Sequence, residues 1–301
     1  MPDPIPAEQT TWGSLVVIYL FIAGVGAGAY LTAWWAERRG LSDRVAVVGR
    51  RLAGPLVALG ALLLVFDLGA GLTHPWRIVW LYTHPTSMMS LGIWILSVFM
   101  VLAVIDGYAS LVKFRGRRLP RLRALGTVAA VTAVGVMVYT GLLLGVIGAV
   151  PFWNNPALPL LFLVSALSTG MAATLAGSVI VSRRADGVAA FGGLHIGLVG
   201  TEALVLAVLL FFAATSHQAT TRSSFQAITQ GGLAPVFWLG LVTLGLAVPL
   251  VYNLIGRRPA GAVLHAPVPV LLECAAVLIG GFLLRHLIVA AGMVGHGFVS
   301  I

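Results

Sequence analysis

Four ionisable side chains stand inside long apolar runs. Glu273 and Arg285 share the run Leu271–Gly292, Glu202 lies near the middle of another, and Asp67 lies in a third. An ionised group at membrane depth costs about 2.5–3.5 kcal/mol even on the lenient insertion scale, so such groups persist where they are paired, hydrated or used. Two chemistries fit. Asp67 and Arg285 stand at similar depth by helix rise and could form a buried ion pair. Alternatively, Glu273, Glu202 and Asp67 make a sparse ladder of proton-binding groups. Asp106 sits at the end of its run and reads as interfacial.

Tyr19 and Tyr139 are polar aromatics inside apolar runs, and His74 and His84 each precede a proline in a connecting segment. A quinone site needs an apolar slot, one or two donors to the carbonyl oxygens and a proton route, and these residue types supply them. Haem is disfavoured. Only His195 and His286 are intramembrane, and their depths differ. Cys274 is the single cysteine, so the chain alone holds no iron–sulfur cluster and no covalent haem. Gly24-Val-Gly26-Ala-Gly28 superficially resembles a dinucleotide fingerprint, but it has no preceding strand. Gly24 with Gly28, Gly141 with Gly145, and Gly193 with Gly197 instead read as small faces that let helices approach.

Positioning these groups requires helices that cross a bilayer. Apolar residues make up 59% of the 301 and charged residues only 9%, against about a quarter charged in soluble domains. Mean hydropathy is +1.01. Eight runs are long enough to span: Ser14–Ala36, Leu52–Leu72, Met88–Tyr108, Leu125–Val150, Leu158–Ser182, Val188–Ala214, Ala234–Ile255 and Val268–Met293. They form one all-α integral membrane domain over residues 1–301, grouped as two four-helix bundles divided near Pro151–Pro159. Pro249 should bend the seventh helix.

The net charge of +9 could suggest nucleic acid, but its placement argues against that. Fifteen of the 18 lysines and arginines fall in four alternate connections: Arg38 to Arg51, Lys113 to Arg123, Arg183 with Arg184, and Arg257 with Arg258. The other connections hold only Arg77 and Arg222. This positive-inside bias predicts both termini outside, with the lipid bilayer as the basic partner and no nucleic acid. The outer segments Thr73–Ser87 and Ser216–Gly232 would meet a soluble partner. The first run has no basic region before it and is too long for a signal peptide's apolar stretch, so it should remain as a helix.

Several segments resemble the NrfD/polysulfide reductase membrane-subunit family. They are Trp12-Gly-Ser-Leu-Val-Val-Ile-Tyr19 through Gly24 and Gly28 to Tyr30; His84-Pro85-Thr-Ser87-Met88 to Gly92; Tyr139-Thr-Gly141 with Gly145, Trp153, Pro159, Phe162, Ser165 and Gly170; and Gly280-Gly281-Phe-Leu-Leu-Arg285 with Ala291-Gly292. They cover nearly the whole chain in order. The resemblance implies eight helices, a quinone or quinol site without haem, and a place for Tyr19 and Tyr139 near that site on the outer side. It also implies a ferredoxin-like iron–sulfur partner and a molybdopterin catalytic subunit. The expectation is therefore a quinone-reactive subunit of an oxidoreductase complex, using menaquinone or ubiquinone in anaerobic respiration. It would not be catalytic alone, and it would sit in a bacterial or archaeal inner membrane with periplasmic termini. The competing expectation is a proton-coupled secondary transporter using Glu202, Glu273 and Arg285.

Overall fold

The computed structural model describes residues 14–67, 82–83, 87–109, 120–185, 187–256 and 266–295, with residue 79. Nine helices account for nearly all of them: α1 Ser14–Arg39, α2 Asp43–Asp67, α3 Met88–Ala109, α4 Pro120–Gly145, α5 Ala157–Ser182, α6 Gly192–Thr215, α7 Ala219–Thr229, α8 Val236–Gly256 and α9 Pro267–Gly295. Eight are long and apolar enough to cross a membrane; α7 is the short one. No strand occurs among the described residues. Without water in the hydrocarbon, the backbone must satisfy itself, and helices do so.

The packing is that of a membrane bundle. Large apolar side chains such as Leu62, Leu204, Phe211, Leu239 and Leu272 face outward. The interior is rich in small residues, among them Ala27, Ala29, Ala33, Ala166, Ser165, Thr169 and Thr174. Small residues let helix backbones meet, which is how helices associate where lipid is as apolar as leucine. A Cβ on Gly28 would strike the Ala166 carbonyl, and one on Gly170 would strike the Gly28 backbone, so α1 and α5 touch main chain to main chain. Gly245 of α8 and Gly280 of α9 cross the same way. Gly141 packs on Pro159. Gly197, however, has open space around it, so the expected Gly193–Gly197 packing face does not form there.

Helix α5 is the hub. It packs against α1, α2, α4, α6 and α9, and the segment before it is folded into the bundle. Trp153 of that segment is buried and donates its indole N–H to the Ile288 carbonyl at 2.8 Å.

Four local departures from expectation have physical causes. Helix α2 begins at Asp43, nine residues before the expected Leu52, so Arg44, Arg50 and Arg51 are helical. Hydropathy stops at the arginines, but Arg50 is neutralised by Glu37 and by Asp106, whose Oδ2 lies 3.0 Å from its Nε. Asp106, near the end of α3, is fully buried among protein groups, and Tyr30 also donates to it at 2.6 Å. The third departure concerns Pro249, which lacks an N–H. The twelve residues Val236–Ala247 before it are wound as a π-helix, with the Val248 N–H bonded to the Thr243 carbonyl. The polar segment Ser216–Gly232, whose composition suggests a loop, contains α7. Buried Thr221, Ser224 and Ile228 give that short helix an inward face.

Candidate functional site

Arg285 anchors the site. It is 0% exposed, on α9. Its Nη1 donates to Ser165 Oγ at 3.1 Å and to the Gly281 carbonyl at 2.8 Å. The guanidinium lies over the rings of Phe21 at 5.5 Å and Phe162 at 5.3 Å. Gly24 makes room for it, because a Cβ there would come within 3.0 Å of Nη2. The glycines that look like plain packing in sequence therefore also cradle a cation.

Glu202 of α6 is buried beside Ser165 and Ser168, within electrostatic reach of Arg285 and His195. Backbone positions alone place Glu202 deep, with no cation at its level. The side chain explains the difference. In a helix the Cα–Cβ bond leans toward the N-terminus, so Arg285 reaches back one turn, to the level of Gly281. Arg285 thus comes within electrostatic reach of Glu202, though no hydrogen bond or ion pair joins them. The side chain of Asp67, its expected partner, lies outside the described residues.

His195 continues the row. Its Nδ1 is 2.9 Å from Glu273 Oε1. Asn253 of α8 donates to the same oxygen at 3.1 Å, and Cys274 Sγ to Oε2 at 3.6 Å. Beyond lies a cavity of about 220 Å³ lined by Tyr252, Asn253, Gly192, Gly193, His195 and Glu273, among others. It opens between the start of α6 and the end of α8, at the end of the bundle where the basic connections cluster. Arg285, Glu202, His195 and Glu273 therefore form a buried row leading from this cavity toward the far end. Among the described residues, Arg285 Nε and Nη2 and His195 Nε2 have no hydrogen-bond partner. A buried unmet polar group costs about 1–3 kcal/mol, which marks these atoms as ones that chemistry can use.

The row joins three residues named from sequence: Glu202, Glu273 and Arg285. His195 enters the sequence reading only as a haem ligand. Its spacing of seven from Glu202 puts both on one face of α6, and that was the available signal. His286, by contrast, is exposed on α9. Tyr19 is buried in α1, five residues from its start. Tyr139 is half-buried in α4, its ring pressed on Gly92 of α3. Both lie toward the end of the bundle opposite the cavity. His74 and His84 lie outside the described residues. No three His, Cys, Asp or Glu side chains converge as metal ligands would among the described residues.

Comparison with known proteins bears on the family. The family model described as polysulphide reductase, NrfD, matches residues 4–295. The chain is 33% identical to a chain of the polysulfide reductase of Wolinella succinogenes, covering 95% of each. It is 32% identical to protein NrfD of Escherichia coli, covering 95% of this chain and 96% of that one. It is 24% identical to a selenate reductase subunit of Mesobacillus selenatarsenatis, over 83% of this chain and 68% of the other. A match along nearly the whole length, on eight apolar helices, makes this chain a member of the membrane-embedded NrfD, or polysulphide reductase, family.

Proposed function

We propose that this chain is the quinone-reactive membrane subunit of a multi-subunit oxidoreductase. Family membership carries the reading: relatives similar over most of this chain are named as parts of polysulfide and selenate reductases. Two electrons pass between a quinone near Tyr19 and Tyr139 and a docked ferredoxin-like iron–sulfur subunit, which in turn serves a molybdopterin catalytic subunit. His74 and His84 belong to the mouth of that pocket, and the termini face the same outer side. The quinone, menaquinone or ubiquinone, supplies the redox chemistry. This chain's residues bind it and handle its protons. The Tyr139 hydroxyl donates to a carbonyl oxygen. Protons move along Glu273, His195 and Glu202, with Arg285 within electrostatic reach of Glu202.

A histidine bonded to one carboxylate, with its other ring nitrogen free of hydrogen bonds and a second carboxylate about two turns further along its helix, suits this task. It accepts a proton at one ring nitrogen and releases one from the other. The row supports the proton-path reading over a static ion pair, because a pair needs only Arg285 and one carboxylate.

The test is purification of the tagged chain from its native membrane. An iron–sulfur partner should accompany it. Its clusters, followed by electron paramagnetic resonance, should exchange electrons with added short-chain quinol or quinone. Absence of exchange in both directions would overturn the reading.

A further inference from the structure

Arg51 of α2 faces outward from the membrane-spanning part of its helix. It lies eight residues after the helix start at Asp43, about 12 Å along the axis. Its neighbour Arg50 is buried and held by Glu37 and Asp106. Arg51 is exposed, and so is Arg44, and neither has an ion-pair partner among the described residues. The same turn thus pairs one guanidinium inside the protein and turns the next toward lipid.

The surface around Arg51 is shaped. Between α2 and α5 runs a groove of about 470 Å³ lined by Arg44, Val47, Val48, Arg51 and, from α5, Ile180 and Val181. Positions 44, 47, 48 and 51 follow the three- and four-residue spacing of a single helix face. Gly177 sets the notch, because a Cβ there would come within 2.9 Å of Val48. The opposite wall is aliphatic and open, with Ile180 64% and Val181 74% exposed. On the other side of α2 a second groove of about 360 Å³ is lined by Arg51 again, with Gly54, Pro55, Ala58, Val104 and Tyr108. Arg51 therefore stands on a crest between two apolar channels.

We propose that this crest is a binding site for one anionic glycerophospholipid. Its phosphate sits between the guanidinium groups of Arg44 and Arg51, and its acyl chains lie in the grooves on either side of α2. Charge complementarity and shape both demand such an occupant. Two cations with no ion-pair partner among the described residues need an anion, and the aliphatic wall beside them in the first groove and the second groove, which runs on past Arg51 to Ala58, need hydrocarbon. A soluble anion would leave the channels unfilled, and a zwitterionic lipid would leave a cation facing the choline or ethanolamine. Asp43, next to Arg44 in sequence, also lines the first groove. The site does not depend on the quinone reading.

Native mass spectrometry of the delipidated full-length protein tests it. Phosphatidylglycerol should bind at least tenfold more tightly than phosphatidylcholine of the same chains. The double variant Arg44→Gln, Arg51→Gln should lose that preference at the first bound lipid. The control Arg39→Gln, Arg123→Gln, equal in charge but outside the grooves, should keep it. Val181→Trp, with every arginine intact, should also weaken the first bound lipid, since it fills the channel from α5. Glycerol phosphate, tested as a competitor, should displace nothing at concentrations equal to the lipid. Equal affinity for the two lipids would overturn the proposal, as would an unchanged preference in Arg44→Gln, Arg51→Gln, an equal loss in the control, or displacement by free glycerol phosphate.

Discussion

A guanidinium that is wholly buried needs compensation nearby, and among the described residues Arg285 has the Ser165 hydroxyl, the Gly281 carbonyl and, within electrostatic reach rather than direct contact, Glu202. Removing one member of a buried pair typically costs about 3–5 kcal/mol, because the other charge is stranded. Arg285→Ala should therefore lower the yield and thermal midpoint of the solubilised protein sharply. Glu202→Gln, Arg285→Gln should recover part of the loss, and additive losses in that double-mutant cycle would argue that the two do not interact. Glu202→Gln alone nearly preserves shape while removing a titratable proton, so the protein should assemble but proton uptake coupled to quinone turnover should fall. Normal coupling would leave Glu202 with a structural role only. Tyr139→Phe keeps the ring against Gly92 and removes one donor. Losing a hydrogen bond worth about 0.5–1.5 kcal/mol should slow quinol turnover several-fold, and wild-type kinetics would remove Tyr139 from the pocket. Which residues carry charge inside the membrane is legible in sequence; who meets whom is not. Depth counted along the backbone ignores the reach of an arginine side chain, which carries the Arg285 guanidinium back to the Gly281 carbonyl and within electrostatic reach of Glu202.

Helices are legible where their apolar runs are unbroken and obscure where charge is satisfied inside the protein. The spanning runs other than α2 fall close to the observed helices. Helix α2 is cut short in sequence at Arg50 and Arg51, since hydropathy cannot register that Glu37 and Asp106 wait on neighbouring helices. The glycines divide in a way that spacing does not reveal. Gly170 carries the backbone crossing of α1 and α5, and any side chain there collides with Gly28. Overpacking of this kind usually costs about 1–3 kcal/mol, and more where backbone is the obstacle. Gly170→Ala should thus destabilise the solubilised protein by several degrees or prevent its assembly. Gly197 has nothing within reach, so Gly197→Ala should leave stability unchanged or raise it by up to about 1 kcal/mol through helix propensity. Melting curves of the two variants, equal in sequence chemistry and opposite in sign, check the packing directly.

At the scale of the whole molecule the question is which end of the bundle faces which side; one feature bears on the answer and a second takes its meaning from it. The first is charge: 15 of 18 lysines and arginines fall toward one end of the spans, and only Arg77 and Arg222 lie in the other connections. Lysine and arginine near span ends hold their segments on the cytoplasmic side, so the basic end should be inside. The second is the buried row, whose cavity at His195 and Glu273 opens at that same basic end. Under the proposed function, with the basic end inside, protons would enter or leave the row from the cytoplasm while quinone chemistry occurred near the opposite surface, and turnover would move charge across the membrane. Cysteine labelling decides the orientation. With Cys274 replaced by alanine, a cysteine introduced at Arg117 should react with a membrane-impermeant maleimide only in inverted vesicles, and one introduced at Arg222 only in right-side-out cells. The reverse pattern would turn the molecule over, placing the cavity outside, and quinone turnover would then carry protons in the opposite sense.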